Sequence, residues 1–296
     1  MTRNYLFVLL LASTIRAFGW TGDGLKDTAA NQISIMSYNV KMLPRGAVFI
    51  HHHPVIRARL IPAKLVEESP DVIVFQEAFD GKAVRILRRK LRATYPFCMG
   101  FQNRKVVTYK RAGGVLMFSK YPMHEIESIS YTQCKGIDCM GNKGAMLVEV
   151  DHPAHKFQLL GTHMQAGGSH DLKLSQYKEA GELLKRHEQE GVPQFAAGDF
   201  NTVKGNEQLY PYLVDALKVE DGDISGDLKF TSDHLLCDME KNHDPNKRRV
   251  IDYVFYKANG VKPASTVRYV KQFEQRWSDT HKSLSDHNAI VLKMVL

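Results

Sequence analysis

The sequence predicts an α/β fold in a single folded unit. Three observations carry this expectation. Short apolar runs that end on polar residues recur along the chain, amphipathic stretches at helical spacing separate them, and no tandem repeat or clear linker divides the sequence. At 296 residues, 44% of them hydrophobic, there is material for one large core or two modest ones.

The N-terminus stands apart from that core. Arg3 precedes an apolar run from Tyr5 to Ala12, and Ala17 and Gly19 lie where a signal peptidase would cut, so residues 1–19 read as a secretory signal and 20–296 as the mature domain. Arg16 stops the run short of the ~20 apolar residues that span a bilayer, and no later segment is long enough, so no transmembrane anchor is expected. Removing Arg3 and Arg16 leaves 38 basic against 32 acidic side chains, a net charge of +6 that favours an anionic partner, phospholipid surface or nucleic acid. Cys98, Cys134, Cys139 and Cys237 suit an exported, disulfide-forming protein. Cys134 and Cys139 flank a short turn-like segment where a local bridge would fit, although all three pairings stay open. No Cys-x-x-Cys or nearby histidine pair completes a zinc set.

Ile33–Val40 reads as a strand with Asn39 near its exit. His51-His52-His53 reads as a solvated loop, because consecutive side chains diverge and do not converge on one ion. From Val55 to Glu67 a helix is expected on the apolar positions Ile56, Leu60, Ala63 and Leu65, with Pro62 bending or breaking it. Asp71–Glu77 is the strongest buried strand, four apolar residues running into an acid. A helix with a basic wet face follows over Gly81–Arg92.

Gly113–Ser119 and Met123–Tyr131 are expected as neighbouring strands joined through Tyr121-Pro122. Gly141-Asn142-Lys143-Gly144 leads into a strand over Gly144–Val150; it is either a hairpin turn or a tight loop presenting Asn142 and Lys143 to a phosphate. Phe157–His163 is an apolar strand ending on His163, and Leu172, Tyr177, Ala180, Leu183 and Leu184 mark a helix. Phe195-Ala196-Ala197-Gly198-Asp199-Phe200-Asn201 is expected to turn sharply at Gly198 and to send Asp199 and Asn201 out in the same direction. After a helix near Gln208–Leu217, the polar stretch Val219–Arg249 reads as a long surface insertion. Val250–Tyr256 is a strand interrupted by Asp252, and Asp286-His287 stand at the entrance of the last one.

The residues that end these strands are the candidate site: Asn39, Glu77, His163, Asp199, Asn201, Asp252, Asp286 and His287. Carboxylate and amide oxygens suit Mg²⁺, which keeps several waters and neutralises phosphate oxygen. A histidine whose tautomer is fixed by an acid suits a general base. No Gly-x-Ser-x-Gly elbow is present, which favours direct attack by water over a covalent enzyme.

The ordered segments Ser-Tyr-Asn-Val at 37–40, Gln-Glu at 76–77, Gly-Asn-Lys-Gly at 141–144, Thr-His-Met-Gln at 162–165, Gly-Asp-Phe-Asn at 198–201, Ile-Asp-Tyr at 251–253 and Ser-Asp-His at 285–287 resemble the motifs of the endonuclease/exonuclease/phosphatase superfamily, and within it neutral sphingomyelinases. Inositol polyphosphate 5-phosphatases share Gly-Asn-Lys-Gly but carry a Trp-Cys-Asp-Arg-type signature where this chain has Ile251-Asp252-Tyr253.

The resemblance implies a DNase-I-like, four-layer α/β sandwich of two mainly antiparallel sheets flanked by helices. It implies that Glu77, Asn39 and Asp286 hold Mg²⁺, or Mn²⁺ or Co²⁺ in its place, and that His287, oriented by Asp252, takes the proton of the attacking water. Asp199 and Asn201 would position water and phosphate, His163 and Lys143 would stabilise developing charge, and Asn142, Lys143 and Asn201 would bind substrate. The implied reaction is hydrolysis of sphingomyelin, or a related phospholipid at a membrane surface, by a secreted monomer, without a nucleic-acid partner. A DNase-like nuclease or phosphoinositide phosphatase is the alternative with the same chemistry, and a binding module without catalysis a third. Sphingomyelinase toxins of this type dock through an adjacent aromatic pair before the last Asp-His; Tyr269–Leu284 offers Phe273 and Trp277 with no such pair, which points to core packing.

Overall fold

The computed structural model describes residues 31–44, 52–100, 113–240 and 243–296. The expected secretory signal and His51 lie outside them. Strands β1 (Gln32–Met42), β2 (Val72–Ala78), β3 (Phe97–Gly100), β4 (Leu116–Ser119) and β5 (Met123–Ser130) precede β6 (Gly144–Val150), β7 (Phe157–His163) and β8 (Gln194–Asp199). The short strands β9 (Ile224–Ser225), β10 (Ser232–Asp233) and β11 (Arg248–Arg249) follow, then β12 (Asp252–Lys257), β13 (Ser265–Lys271) and β14 (Ala289–Val295). Four helices accompany them: α1 (Pro54–Glu68), α2 (Gly81–Leu91), α3 (His170–Arg186) and α4 (Tyr210–Leu217).

Seven strands form one sheet in the order β3-β4-β2-β1-β14-β13-β9, and five form the other in the order β12-β8-β7-β6-β5. Most neighbours are antiparallel; β1 with β2 and β7 with β8 are parallel. The two sheets face each other and helices cover their outer faces, so the chain is an α/β sandwich of four layers.

The side-chain alternation of the strands explains these layers. In β1 and β2, Ile33, Ile35, Val72 and Val74 point inward against Val148, Leu159, Phe195 and Val254 of the second sheet. Their neighbours Met36, Tyr38, Ile73 and Phe75 point outward beneath Ala58, Ile61 and Leu65 of α1 and Leu87 and Leu91 of α2. Leu147, Leu160, Ala196 and Phe255 do the same beneath α3 and α4. Burial on both faces is why these strands read as unbroken apolar runs.

Several expectations need correction. β4 and β5 are not neighbours: β4 pairs with β2 and β3, β5 with β6, and the chain crosses between sheets at Tyr121-Pro122. α1 runs through Pro62 unbroken, and its buried face is Arg57, Ala58, Ile61, Pro62 and Leu65, with Ile56 exposed. The reason is Arg57, fully buried, whose guanidinium donates to four backbone carbonyls: His52 at 2.6, Val40 at 2.7, Leu284 at 2.8 and Lys41 at 2.6 Å. Gly198 lies inside β8 and makes no turn; a Cβ there would come within 2.2 Å of the Thr162 carbonyl oxygen, so the parallel pairing of β7 and β8 needs glycine.

The stretch Val219–Arg249 is not a surface insertion. Thr231, Asp233, Cys237 and Met239 are buried, and the segment packs against the end of the sandwich where β14 begins. Its polar composition conceals this because its contacts are hydrogen bonds from side chain to backbone. The Thr231 hydroxyl accepts from the amides of Ile251 and Asp252 at 3.0 and 3.1 Å, and its carbonyl accepts from Asn288 N–H at 2.6 Å. Phe273 is buried against Tyr38, and Trp277 stacks on His281 and donates its ring N–H to the Ser283 carbonyl.

Candidate active site

Strand register brings the candidate residues to one pole of the sandwich. His163, Asp199 and Asp252 end or begin adjacent strands, with His163 opposite Asp199 on β7–β8 and Asp199 opposite Asp252 on β8–β12. From the other sheet come Asn39 on β1, Glu77 on β2 and the pair Asp286-His287 just before β14. Buried Asn39 joins the two halves: its Nδ2 donates to Glu77 Oε1 at 3.0 Å and to Asp199 Oδ2 at 3.1 Å.

Asp252 and His287 are in direct contact, Oδ2 to Nδ1 at 2.8 Å, while His287 Nε2 faces Asp199 Oδ2 at 4.0 Å. Burial disfavours the imidazolium, but Asp252, Asp286 and Asp199 outweigh it and hold the ring well above the ordinary histidine range. Asp199 is pushed up to about 7, first by burial and then by the negative charge of Asp252. The ligand atoms of Asp199, Asp252 and His287 lie within 4.8 Å of one another, a spacing that could hold an ion, although His287 Nδ1 is already committed to Asp252.

His163 lies on the other side of Asp199, Nε2 to Oδ2 at 3.6 Å. Burial and the nearby Lys143 ammonium push its pKa well below the ordinary histidine value, so the ring is neutral. Lys143 Nζ donates to His163 Nε2 at 3.0 Å and to the Met164 carbonyl at 2.8 Å. Since lysine is donor only, the histidine proton sits on Nδ1, assigned from this bond. Asn142, in the left-handed region with φ 42°, ends the turn that brings Lys143 inward, and no hydrogen bond ties the Asn142 side chain to the cluster. Asn201 does not continue the direction of Asp199: its φ of 50° turns the chain, its N–H donates to Asp199 Oδ1 at 2.9 Å, and its Nδ2 donates to Met164 O at 3.0 Å.

Glu77 also has positive φ, 57°, a conformation disfavoured for a residue with a side chain and held here by the surrounding sheet. Burial and the negative charge of Asp286 raise its pKa. Asp286 itself is held low: burial opposes ionisation, but His287 and Lys41, whose Nζ is 2.5 Å from Oδ2, dominate.

The donor set fits a hard divalent cation. Glu77 uses only Oε1 in a hydrogen bond, and the buried Asp252 Oδ1 has no partner among the described residues. Crowded carboxylates with uncommitted oxygens are the arrangement that added positive charge stabilises.

Four supporting residues escaped the sequence reading. Arg57 ties Val40, Lys41 and Leu284 together and so fixes the segments that carry Asn39 and Asp286. Thr231 holds the start of β12. Lys173, pushed down to about 8 by burial, donates to Gln165 O at 3.0 Å and Asn201 O at 2.7 Å, linking the loops after β7 and β8. Asp138 lies 3.1 Å from Lys143. Only Thr231, inside a polar stretch next to a strand, left no trace of its charge or periodicity; the other three are charges placed in or beside otherwise regular elements.

Known proteins resemble this chain in sequence and in fold. A sphingomyelinase C 2 of Leptospira interrogans is 27% identical over 288 residues, 88% of this chain and 45% of the relative, so the chain spans less than half of that protein's length. A phospholipase C of Staphylococcus aureus is also 27% identical, over 88% of this chain and 84% of the relative. Among solved structures, a beta toxin variant from Staphylococcus aureus with bound magnesium ions superposes with a TM-score of 0.78 at 24% identity, covering 88% of this chain and 99% of the toxin. The family model for the Endonuclease/Exonuclease/phosphatase family matches residues 36–287, every strand-end residue of the cluster included, and the chain belongs to that family.

Proposed function

We propose that the protein is a secreted, Mg²⁺-dependent phosphodiesterase that hydrolyses sphingomyelin to ceramide and phosphocholine. The observation that carries the chemistry is the Asp252–His287 contact set against Asp199 and Asn39 between the two sheets. The names of the Leptospira and Staphylococcus relatives support the lipid substrate. The Cys134–Cys139 disulfide supports an oxidising compartment, and no helix among the described residues is long and apolar enough to cross a membrane. Cleavage of residues 1–19, leaving 20–296 as the catalytic domain, is read by mass spectrometry of the exported protein.

In this reading water attacks phosphorus on the side opposite the ceramide oxygen. The new O–P bond forms as the P–O bond to ceramide breaks, His287 accepts the proton of the water and later releases it to solvent, and the ceramide alkoxide takes its proton from solvent. Positive charge of a bound cation beside Asp286 and Asp199 would offset the carboxylates that raise the His287 pKa, and Asp252 keeps the ring in the tautomer that then leaves Nε2 free to accept. Asp199 and Asn201 orient the water and the phosphate, with Asn142 lining the phosphate side. Lys143, seated on His163, supplies positive charge for the pentavalent transition state. Glu77 and Asn39, with Asp286 beside them, would hold Mg²⁺, which when bound polarises a phosphate oxygen.

A nuclease is the second reading, favoured by one observation: Arg59, Lys82, Arg85, Arg88, Arg89 and Arg92 line an open groove between α1 and α2. Incubation with sphingomyelin, phosphatidylcholine, a phosphoinositide and plasmid DNA, each with and without EDTA, separates the two. Phosphocholine release that EDTA abolishes supports the lipid reading, whereas DNA nicking alone contradicts it.

A further inference from the structure

The two most exposed large apolar side chains among the described residues are Ile137, 82% exposed, and Met140, 67% exposed. They belong to the same short element, a 3₁₀ turn over Gly136–Gly141. Such a turn has three residues per revolution, so positions three apart project from the same side. Ile137 and Met140 therefore share the outer face, while Asp138 lies between them on the inner side, its carboxylate 3.1 Å from Lys143 Nζ and 2.9 Å from the Ala166 amide. The Cys134–Cys139 disulfide closes the loop that carries the turn. The turn is thus anchored at the rim of the site through its polar face and presents its apolar face to solvent.

We propose that this turn is the protein's lipid-contacting prong, inserting Ile137 and Met140 into the interfacial zone of a phospholipid surface and bringing Lys143 to the headgroup layer. The inference rests on the phospholipid reading above and names the surface element that serves it. Two side chains are far too little for a stable protein interface, which needs ~800 Å² on each partner. They are well suited to a bilayer, where any depth of aliphatic surface is a partner and the remaining affinity comes from the substrate itself. Exposed Lys135 on the same loop can meet lipid phosphate. The loop closure set by the disulfide also lowers the ordering cost of insertion. The segment before Asp286 does not compete for this task, because Phe273 is buried and Trp277 is held by the Ser283 carbonyl.

The test compares the full chain with an Ile137→Asp/Met140→Asp double variant and an Ile137→Leu/Met140→Leu control. Co-sedimentation with phosphatidylcholine and with sphingomyelin/phosphatidylcholine vesicles is measured in EDTA, so that binding is read without hydrolysis. Turnover is measured with Mg²⁺ on the same vesicles and on a water-soluble chromogenic phosphocholine ester. The expected result is a fall of at least about tenfold in vesicle partitioning for the aspartate pair, undiminished in high salt, with soluble-ester turnover unchanged and the leucine pair like wild type. Wild-type binding by the aspartate pair, absence of vesicle binding by the wild type, or a parallel fall on the soluble ester would each overturn the proposal. Failure of the sphingomyelin reading shows differently, as vesicle binding without phosphocholine release.

Discussion

Asn39 and Asp199 belong to different sheets and lie 160 positions apart, yet Asn39 Nδ2 donates to Asp199 Oδ2 at 3.1 Å while the same amide holds Glu77 at 3.0 Å. One carboxamide thus bridges the two β-layers at the end where the polar strand termini meet. Asn39→Ala removes a donor from two crowded carboxylates at once. The expected cost is about 1–3 kcal/mol in urea unfolding, since charged groups lose hydrogen bonds in a protein interior. Activity should fall more than stability does, because the spacing between Glu77 and Asp199 is no longer fixed.

The Asp252–His287 contact makes a separable prediction. His287→Ala is expected to lower kcat by ~10²–10⁴, the contribution of a general base. Asp252→Asn keeps the shape but presents an amide to Nδ1, so its kcat should also fall, with KM less affected. Wild-type kcat in either variant contradicts the proton-transfer role.

Much of this pole was legible because apolar runs give way to Asn39, Glu77, His163 and Asp199, and strands buried on both faces read as mostly apolar until they reach such a residue. Partner choice between sheets was not legible. Nothing in Leu116–Ser119 or Met123–Ser130 tells which layer each joins, because both are short and their neighbours are distant in sequence. The region around Thr231 was missed for a different reason: its order comes from one hydroxyl bonded to two amides, which leaves no hydrophobic period. Arg57 was not singled out, because a buried guanidinium satisfied by four carbonyls looks, in sequence, like any helical arginine.

Arg57 should therefore matter as much as a core residue. Arg57→Leu leaves the carbonyls of Val40, Lys41 and Leu284 without their donor, and a loss of at least about 2 kcal/mol is expected from charged hydrogen bonds of this kind. Arg57→Lys recovers only part of it, since an ammonium cannot reproduce the fork. Equal urea midpoints for wild type and the leucine variant contradict this.

Asp71, remote from the catalytic cluster, sets an acid-stability limb. Burial alone would raise its carboxyl, but the His152 ring at 3.6 Å, the Ser34 hydroxyl and N–H at 2.6 and 2.8 Å, and Lys120 at 3.2 Å outweigh it and hold the pKa low. A carboxyl lower in the folded than in the unfolded chain contributes stability that is full above the unfolded value, about 3.9, and is lost as pH falls through the folded value. Unfolding measured from pH 7 downward should show a shallower acid limb for Asp71→Asn than for wild type. Parallel limbs contradict the assignment.

The central claim is that residues from both sheets form one divalent-ion-dependent phosphodiesterase site, and a Mg²⁺ titration of phosphocholine release from sphingomyelin vesicles tests it most directly. The wild type should be silent in EDTA and recover with added Mg²⁺, and Glu77→Gln should stay at least about 10²-fold lower at saturating ion, several kcal/mol of lost transition-state stabilisation. Phosphocholine release that persists in EDTA, or a Glu77→Gln variant with the wild-type ion response, would contradict the account.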